Sequence, residues 1–313
     1  MSPGPRHRCG MLWLWLWLWL IPASASAGPG CGETVHEIAD GVYVRPGHAA
    51  VLFEADNVAN LGFVVGHRCV TVIDTGGSVA EGRALDCAIR ERTDVPVCFV
   101  VNTHVHPDHV LGNAAFRRNN VQFIGHAKLP RAMALRGDTY LSRAAQHSGE
   151  AVDRAQIVMP ERIVGDTVEL DLGGRTVVLQ AHPSAHTDND LSVLDKQTGI
   201  LFAGDLVFLD HLPVLDGSIN GWIDELDRLM REEFRAVVPG HGPPQALWPE
   251  AGWPTANYLL HLRKRTRAWI ARGGELGGAQ EEIEPDRPEC WQLAGEYQRR
   301  NVSAAFAELE WEN

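Results

Sequence analysis

Positive charge is scarce in this sequence. The 313 residues include 28 Lys and Arg against 40 Asp and Glu, which gives a formal net charge of -12 at pH 7. A surface with this balance repels phosphate groups, so we exclude nucleic acid and anionic membranes as partners. We expect the protein to act on a small-molecule substrate.

Long apolar runs are also missing, apart from one near the N terminus. Residues 11–21 form an unbroken apolar run, which is much shorter than the ~20 residues that a membrane-spanning helix needs. Arg6 and Arg8 precede it, and small residues including Ala25 and Ala27 follow it, a pattern typical of a secretory signal. We predict a signal peptide over residues 1–27, cleaved on export to the periplasm, and no membrane attachment afterwards. A retained N-terminal anchor is the alternative.

Cysteine pairs with metal-binding or redox spacing are absent. No C-x-x-C occurs, so neither a zinc ribbon nor a dithiol redox motif is indicated. Export would place the cysteines in an oxidising compartment, where disulfides persist. Cys69 and Cys98 fall within predicted core strands, and we expect them to be small buried hydrophobic residues. The pairing stays open for the five cysteines beyond the signal: Cys31, Cys69, Cys87, Cys98 and Cys290.

Strand and helix patterns alternate along the rest of the chain. Short β-branched segments separated by Gly-containing turns predict strands at the start, and residues 79–92 and 108–118 are predicted helices. The second half has strands again, with Gly173-Gly174 favouring a hairpin, and then a mostly helical tail interrupted by a predicted exposed loop over residues 273–286. Two strand-rich halves that each carry helices predict two sheets packed face to face with helices outside.

The predicted organisation has one catalytic domain. After a linker over residues 28–34, it extends over residues 35–245. A C-terminal helical segment over residues 246–313 is expected to pack on this domain or to be appended to it.

Four metal-binding side chains crowd into six positions after a predicted buried strand. His104 and His106 alternate by two, so an extended chain projects both imidazoles on one side. Pro107 turns the chain, and Asp108 and His109 can then face the same point from the start of a helix. Neutral imidazole suits zinc, and a carboxylate adds the negative charge that holds a second ion. This spacing predicts a metal site rather than a loop that is rich in histidine by chance.

Three further candidate ligands follow, each where a predicted strand ends. They are His186, Asp205 and His241. A single residue of this kind is usually a cap or a turn residue, but three in this order after the first cluster complete a metal-binding set. Thr187 and Asn189 are candidates for substrate contact, with a local role in the turn as the alternative.

Taken together, these motifs resemble the metallo-β-lactamase-fold hydrolase superfamily. The resemblance covers roughly residues 35–242 and implies an α/β (α+β) fold, a four-layer αββα sandwich with the metals at one edge between the sheets. The matching segments are T-H-x-H-x-D-H at 103–109, A-H-T at 185–187, F-A-G-D at 202–205 and P-G-H-G at 239–242.

The resemblance also implies a site for two Zn²⁺ ions. Asp74 would support the ligands without touching the metals. Asp108 would be the catalytic residue, since besides binding metal it would orient a metal-bound hydroxide, which zinc makes available near neutral pH. The implied ligands are His104, His106 and His186 for one ion, Asp108, His109 and His241 for the other, and Asp205 as the bridge between them.

Two positions separate members of this superfamily. The commonest class B β-lactamases have a cysteine at the bridging position and a lysine three residues later, whereas this chain has Asp205 and Phe208. The bridging aspartate is similar to that of glyoxalase II-like hydrolases, although their basic substrate-binding motif is not evident after residue 248. We therefore expect hydrolysis of an ester, thioester or amide-type bond.

Residues 40–47, 60–66 and 73–78 resemble more closely an exported SoxH-related subgroup, the quinoprotein relay system zinc metallohydrolases. This resemblance implies a role in a pyrroloquinoline-quinone-dependent periplasmic oxidation system, with a quinoprotein as a partner. Three alternatives stay open: a class B β-lactamase-like lactam hydrolase, a persulfide dioxygenase of the same fold with a single iron ion, and a non-catalytic maturation factor. The natural substrate stays open as well.

Overall fold

The computed structural model describes residues 31, 34–55, 57–148 and 153–312. The predicted signal peptide over residues 1–27 and most of the predicted linker lie outside the described residues. Within the described ranges, no helix combines the length and the apolar character needed to cross a membrane.

Two β-sheets form the centre of the fold. The first has seven strands in chain order, β1 to β7, and the second has five in the order β12-β11-β10-β9-β8. The strands of the first sheet are β1 His36–Ala39, β2 Val42–Arg45, β3 Leu61–Val65, β4 Val70–Ile73, β5 Val97–Val101, β6 Gln122–His126 and β7 Arg162–Val164. Those of the second are β8 Thr167–Asp171, β9 Thr176–Ala181, β10 Leu191–Asp195, β11 Ile200–Phe208 and β12 Ala236–His241.

Helices cover the outer faces of both sheets. Helix α1 packs on the first sheet, while α4, α5 and α7 pack on the second. Together with the two sheets, these layers confirm the predicted αββα sandwich. The helices are α1 Val79–Arg92, α2 Pro107–Val110, α3 Leu129–Ser148, α4 Ile219–Leu229, α5 Gly252–Ala271, α6 Leu276–Glu282 and α7 Ala294–Leu309, with short 3-10 turns at Asn113–Phe116, Arg154–Gln156 and Pro288–Cys290.

Successive side chains of a strand point to opposite faces of the sheet, and in this fold both faces are buried. In β3, Leu61 and Phe63 face the cluster that α1 covers, whereas Val64 joins the cluster between the sheets. Phe202 of β11 fills the space above Gly62, where an added Cβ would lie 2.1 Å from its ring. Burial of these side chains on both faces of each sheet provides the main driving force for the fold.

Two local predictions are wrong. The helix predicted over residues 108–118 is divided into α2 and a 3-10 turn. The backbone at Gly112 lies against the end of β4, where an added Cβ would be 2.0 Å from the carbonyl oxygen of Thr75, and this tertiary contact overrides helix propensity. The loop predicted over residues 273–286 contains α6, which is held by the burial of Ala279 against the helices on the second sheet.

Cys69 and Cys98 form a disulfide rather than acting as separate hydrophobic residues. Their Cα atoms are 5.4 Å apart because Cys98 lies in β5 and Cys69 immediately precedes its neighbour β4, a separation that suits a disulfide. A second disulfide joins Cys31 to Cys87 of α1. None of the cysteines that the structure describes is a free thiol. The expectation for Cys69 and Cys98 was wrong because the sequence does not reveal which strands are neighbours.

Candidate metal centre

The seven predicted ligands lie together at one edge of the sandwich. The segment after β5 carries four of them, the loop after β9 carries one, and β11 and β12 carry the remaining two. Although the structure buries all seven side chains, four of them line a cavity: His106, Asp108, Asp205 and His241. The complete set is His104, His106, Asp108, His109, His186, Asp205 and His241.

Three histidines and the bridging aspartate form the first group. Nδ1 of His106 lies 3.0 Å from Nε2 of His104 and 3.0 Å from Nε2 of His186. Oδ2 of Asp205 lies 3.6 Å from Nε2 of His104 and 3.3 Å from Nε2 of His186. Ligand atoms about 2.1 Å from a tetrahedral zinc ion are about 3.4 Å apart. These distances are compatible with a single divalent metal ion bound between the four side chains.

The second group shares Asp205 and has similar dimensions. Nε2 of His109 lies 3.5 Å from Oδ2 of Asp108 and 3.2 Å from Oδ1 of Asp205. Nε2 of His241 lies 3.4 Å from Oδ2 of Asp108 and 3.3 Å from Oδ2 of Asp205. Three of these buried atoms have no hydrogen-bond partner among the described residues: Asp108 Oδ2, His109 Nε2 and Asp205 Oδ1. Buried polar atoms are rarely left without a partner, and a metal ion would satisfy all three.

The hydrogen bonds at the other ring nitrogens direct the lone pairs of the histidines into the site. His104 donates from Nδ1 to Thr103 Oγ1 over 3.0 Å, and His186 donates from Nδ1 to the carbonyl of Val214 over 2.6 Å. His106 donates from Nε2 to Asp216 over 3.0 Å. Each bond selects the tautomer that leaves the nitrogen facing the site unprotonated, as metal binding requires.

Asp74 occupies the supporting position that the resemblance implies for it. Its Oδ2 accepts a hydrogen bond from Nδ1 of His109 over 2.8 Å and another from Thr103 Oγ1 over 2.7 Å. Since Thr103 in turn contacts His104, one carboxylate orients a ligand from each of the two groups. Asp74 has a left-handed backbone with φ of 58°. Such a strained conformation persists only where surrounding contacts hold it, and it is common at functional sites.

Burial and neighbouring charge give the ligands different protonation tendencies. Burial lowers the pKa of His186 to about 3 and also lowers the pKa of His104 well below its ordinary value, so both rings stay neutral. At His109 burial has the same effect, but Asp108, Asp205 and Asp74 outweigh it and raise the pKa. A group of carboxylates that draws a proton onto a buried imidazole also attracts a cation.

Two neighbours of the metal ligands define the site further. Gly240 leaves room for Asp205, since an added Cβ would lie 1.9 Å from Asp205 Oδ1. Phe208 stacks on His241 with 5.0 Å between ring centroids and an interplanar angle of 14°. The position that carries a substrate-binding lysine in common class B β-lactamases therefore supports a ligand with an apolar ring.

A cavity of about 560 Å³ opens above the ligands. The loop between β2 and β3 contributes Leu52 and Phe53 to its wall, and these two residues also line a second cavity of about 440 Å³. Several residues of the larger cavity carried no sequence motif and were not predicted. They lie on α3 and α7 and include Arg136, Tyr140, Arg143, Tyr297 and Arg300.

The structure gives Thr187 and Asn189 local roles in a turn. The backbone nitrogen of Thr187 donates to Asp190 Oδ2 over 2.9 Å, and its hydroxyl donates to Asp190 Oδ1 over 2.5 Å. The backbone nitrogen of Asn189 donates to the hydroxyl of Thr187 over 3.1 Å. Neither residue lines the two cavities above the metal centre, so the alternative of a turn agrees with these contacts.

The chain is similar to known proteins in sequence and in fold. A family model described as "Metallo-beta-lactamase superfamily" matches residues 56–241. The chain is 30% identical over 211 residues to the acyl-coenzyme A thioesterase MBLAC2 of Bos taurus, covering 60% of this chain and 75% of the relative. A metallo-beta-lactamase from Pontibacter korlensis superposes with a TM-score of 0.61 at 20% identity, covering 73% of this chain and 99% of that chain. A double mutant of the sec-alkyl sulfatase PisA1 superposes with a TM-score of 0.66 at 16% identity, covering 90% of this chain and 51% of that chain.

Proposed function

Because the chain belongs to the metallo-β-lactamase superfamily and is a hydrolase of that superfamily, we propose that it is a binuclear zinc enzyme that hydrolyses thioesters or esters. One observation carries the proposal: two complete ligand groups share Asp205. Their ligand atoms are 3.0–3.6 Å apart. A pure binding module would not need buried carboxylate and imidazole atoms that have no hydrogen-bond partner among the described residues and that a metal ion would satisfy.

Each residue of the site has a defined task in this proposal. Zinc ions bound here would lower the pKa of a coordinated water to about 7 and polarise the carbonyl of the substrate. Asp108 lines the cavity as well as the ligand group, so its carboxylate can orient that water by accepting its proton in a hydrogen bond. Asp74 and Asp216 hold the ligand rings in place.

The cavities favour a substrate with an acyl chain. Both are lined by Leu52, Phe53 and Val58, and the smaller one continues from Asp108 toward Leu141 of α3. An apolar surface that begins at the metal ligands suits the acyl part of an ester or thioester. The similarity to an acyl-coenzyme A thioesterase supports the thioester as the first candidate.

The test is a hydrolysis screen of purified protein after its metals are counted. The panel contains acyl thioesters of increasing chain length, the matching oxygen esters and a β-lactam. We expect about two zinc ions per chain and chelator-sensitive hydrolysis that is fastest for thioesters. One iron ion per chain together with oxygen uptake on persulfides would refute the proposal, and so would a chain that binds two zinc ions but hydrolyses nothing in the panel. Preferential hydrolysis of the lactam would establish the β-lactamase alternative.

We also propose that the protein is exported to the periplasm and acts there in a pyrroloquinoline-quinone-dependent oxidation system. The two disulfides support export, because disulfides are rare in reducing compartments. We expect the protein from a periplasmic fraction to begin at Gly28, as mass spectrometry would show. Deletion of the gene should lower quinoprotein dehydrogenase activity in that fraction. A full-length chain in the cytoplasm would contradict the first proposal, and unchanged dehydrogenase activity would contradict the second.

A further inference from the structure

Three arginine side chains line the larger cavity beside the metal ligands. Arg136 and Arg143 belong to α3, and Arg300 belongs to α7. The two helices lie far apart in the sequence. Helix α7 also lies outside residues 56–241, which match the family model. Arg300 therefore lies outside the family match, and none of the three arginines belongs to the ligand groups of the metal centre.

Asp216 fixes two of these arginines beside the metal centre. Arg136 forms an ion pair with Asp216 Oδ2, and Nη2 of Arg300 lies 3.3 Å from Asp216 Oδ1. The same carboxylate accepts the hydrogen bond of His106. Asp216 therefore contacts both guanidinium groups and also His106, which is a candidate metal ligand.

Positive charge exceeds negative charge at this wall of the cavity. Asp216 is the one acidic partner that the described residues provide for Arg136 and Arg300, and Arg143 has no ion pair or hydrogen bond with them. The acidic residues of the cavity wall itself, Asp108 and Asp205, belong to the candidate ligand groups. A protein of net charge -12 therefore directs three guanidinium groups into its candidate active site. Local positive charge in a cleft concentrates anions there.

We propose that Arg136, Arg143 and Arg300 form an anion-binding site, the arginine clamp, for a negatively charged group of the substrate. The inference rests on the proposed hydrolase function and refines its substrate class to esters or thioesters that carry a carboxylate, sulfate or phosphate group. The planar guanidinium group pairs with such oxyanions through two parallel hydrogen bonds. Arg136 and Arg300 are about one-third and one-half exposed, so a ligand can reach both.

The arginine clamp also accounts for the residue at position 208. Phe208 is buried against His241, so no cation at that position can hold an anionic substrate. The clamp supplies the missing charge from α3 and α7 instead, on the side of the cavity that His106 borders. An anionic substrate would therefore enter with its charged group toward the arginine clamp and its scissile bond over the metal ligands.

The first experiment compares paired substrates with the zinc-loaded full chain. One thioester carries a terminal carboxylate, and its partner has a methyl ester at that end. For Arg143→Gln and Arg300→Gln, we expect the ratio of kcat/KM for the anionic thioester to that for the neutral one to fall about 10- to 100-fold, mainly through KM. Arg143→Lys and Arg300→Lys should recover part of this ratio because they restore charge without the fork. Arg131→Gln on α3 and Arg299→Gln on α7 are the matched controls, since both side chains are exposed and outside the cavity wall.

A binding measurement separates the arginine clamp from the proposed hydrolase function. Inorganic sulfate is titrated into the zinc-loaded protein and followed by calorimetry, which needs no turnover. We expect sulfate to bind the wild type and both control variants, and to bind Arg143→Gln and Arg300→Gln at least 10-fold more weakly. If no thioester is hydrolysed but these sulfate differences hold, the hydrolase proposal fails and the clamp stands. An unchanged substrate ratio and unchanged sulfate binding in both Gln variants, with zinc content and melting temperature retained, would overturn the clamp. If one Gln variant does not fold, the same comparison is made with the other Gln variant and with the two Lys variants.

Discussion

Asp216 Oδ2 accepts a hydrogen bond from Nε2 of His106 over 3.0 Å. This contact joins residues 110 positions apart, and it leaves Nδ1 of His106 facing Nε2 of His104 and Nε2 of His186. Burial opposes the charged form of Asp216, but His106 and Arg136 outweigh it and lower its pKa. Asp216 therefore stays ionised and holds His106, a candidate metal ligand, in the tautomer that metal binding would require.

Removal of this contact should weaken metal binding. We expect Asp216→Ala to lower zinc affinity about 10- to 100-fold, because outer partners of ligand histidines contribute on that scale. Competition with a chromophoric chelator measures the affinity. Asp138→Ala is the control, since Asp138 is an exposed acid on α3 that pairs with Arg154 away from the metal ligands. Equal affinities for the two variants would show that Asp216 does not support the site.

A methyl group at Gly240 should displace the bridging carboxylate. An added Cβ would lie 1.9 Å from Asp205 Oδ1, so we expect Gly240→Ala to lose at least one zinc ion per chain while keeping the native circular dichroism spectrum. Gly165→Ala is the matched control, because an added Cβ there meets nothing within 4 Å. The metal content of both variants is measured by mass spectrometry. Full zinc content in Gly240→Ala would contradict the position of Asp205.

The two ligand groups should be separable by mutation. We expect His186→Ala to lose the ion of the three-histidine group and His241→Ala to lose the ion of the group that contains Asp108 and His109. Asp205→Ala should weaken the binding of both ions, because Asp205 is shared by the two groups. His36→Ala, at the exposed end of β1, should keep both ions. Metal analysis together with hydrolysis of the best substrate measures the effect. Full metal content and activity in His186→Ala or His241→Ala would show that the ligand scheme is wrong.

A buried ion pair outside the candidate ligand groups should make stability depend on pH. Asp195 accepts two hydrogen bonds from Arg175, both of 2.8 Å. Burial opposes the charge of Asp195, but Arg175 and Thr198 outweigh it and lower the pKa. The stabilisation is therefore complete above the unfolded pKa of about 4 and is lost as pH falls toward the lower folded pKa.

Asp195→Asn should lower the free energy of unfolding by about 3–5 kcal/mol at pH 7 and reduce this acid dependence. Urea unfolding at pH 7 and pH 3.5 measures both effects. Glu169→Gln breaks the exposed pair with Lys196, which follows β10, and should cost less than about 1 kcal/mol. A similar cost for both variants would contradict the buried pair.

Local patterns predicted most of the secondary structure and the identity of the candidate ligands. The α1 boundaries agree with the periodicity of residues 79–92, because the helix is amphipathic and Ser78 caps it by accepting a hydrogen bond from the nitrogen of Glu81. Local patterns failed where distant contacts decide, as at Gly112 and Ala279. Helix propensity depends only on residues that are close in the sequence. It therefore cannot predict the effect of a distant strand end or helix face that packs against the segment.

The sequence by itself determined the kinds of ligand and their order, because T-H-x-H-x-D-H places four donors within one strand end and one turn. Tertiary structure alone decided how the metal centre is supported and approached. Asp216, Arg136 and Arg300 meet only after α3 and α7 pack around the ligands, and Cys69 reaches Cys98 only because β4 and β5 are neighbours. These contacts depend on long-range packing of apolar faces, which specifies no fixed spacing along the chain.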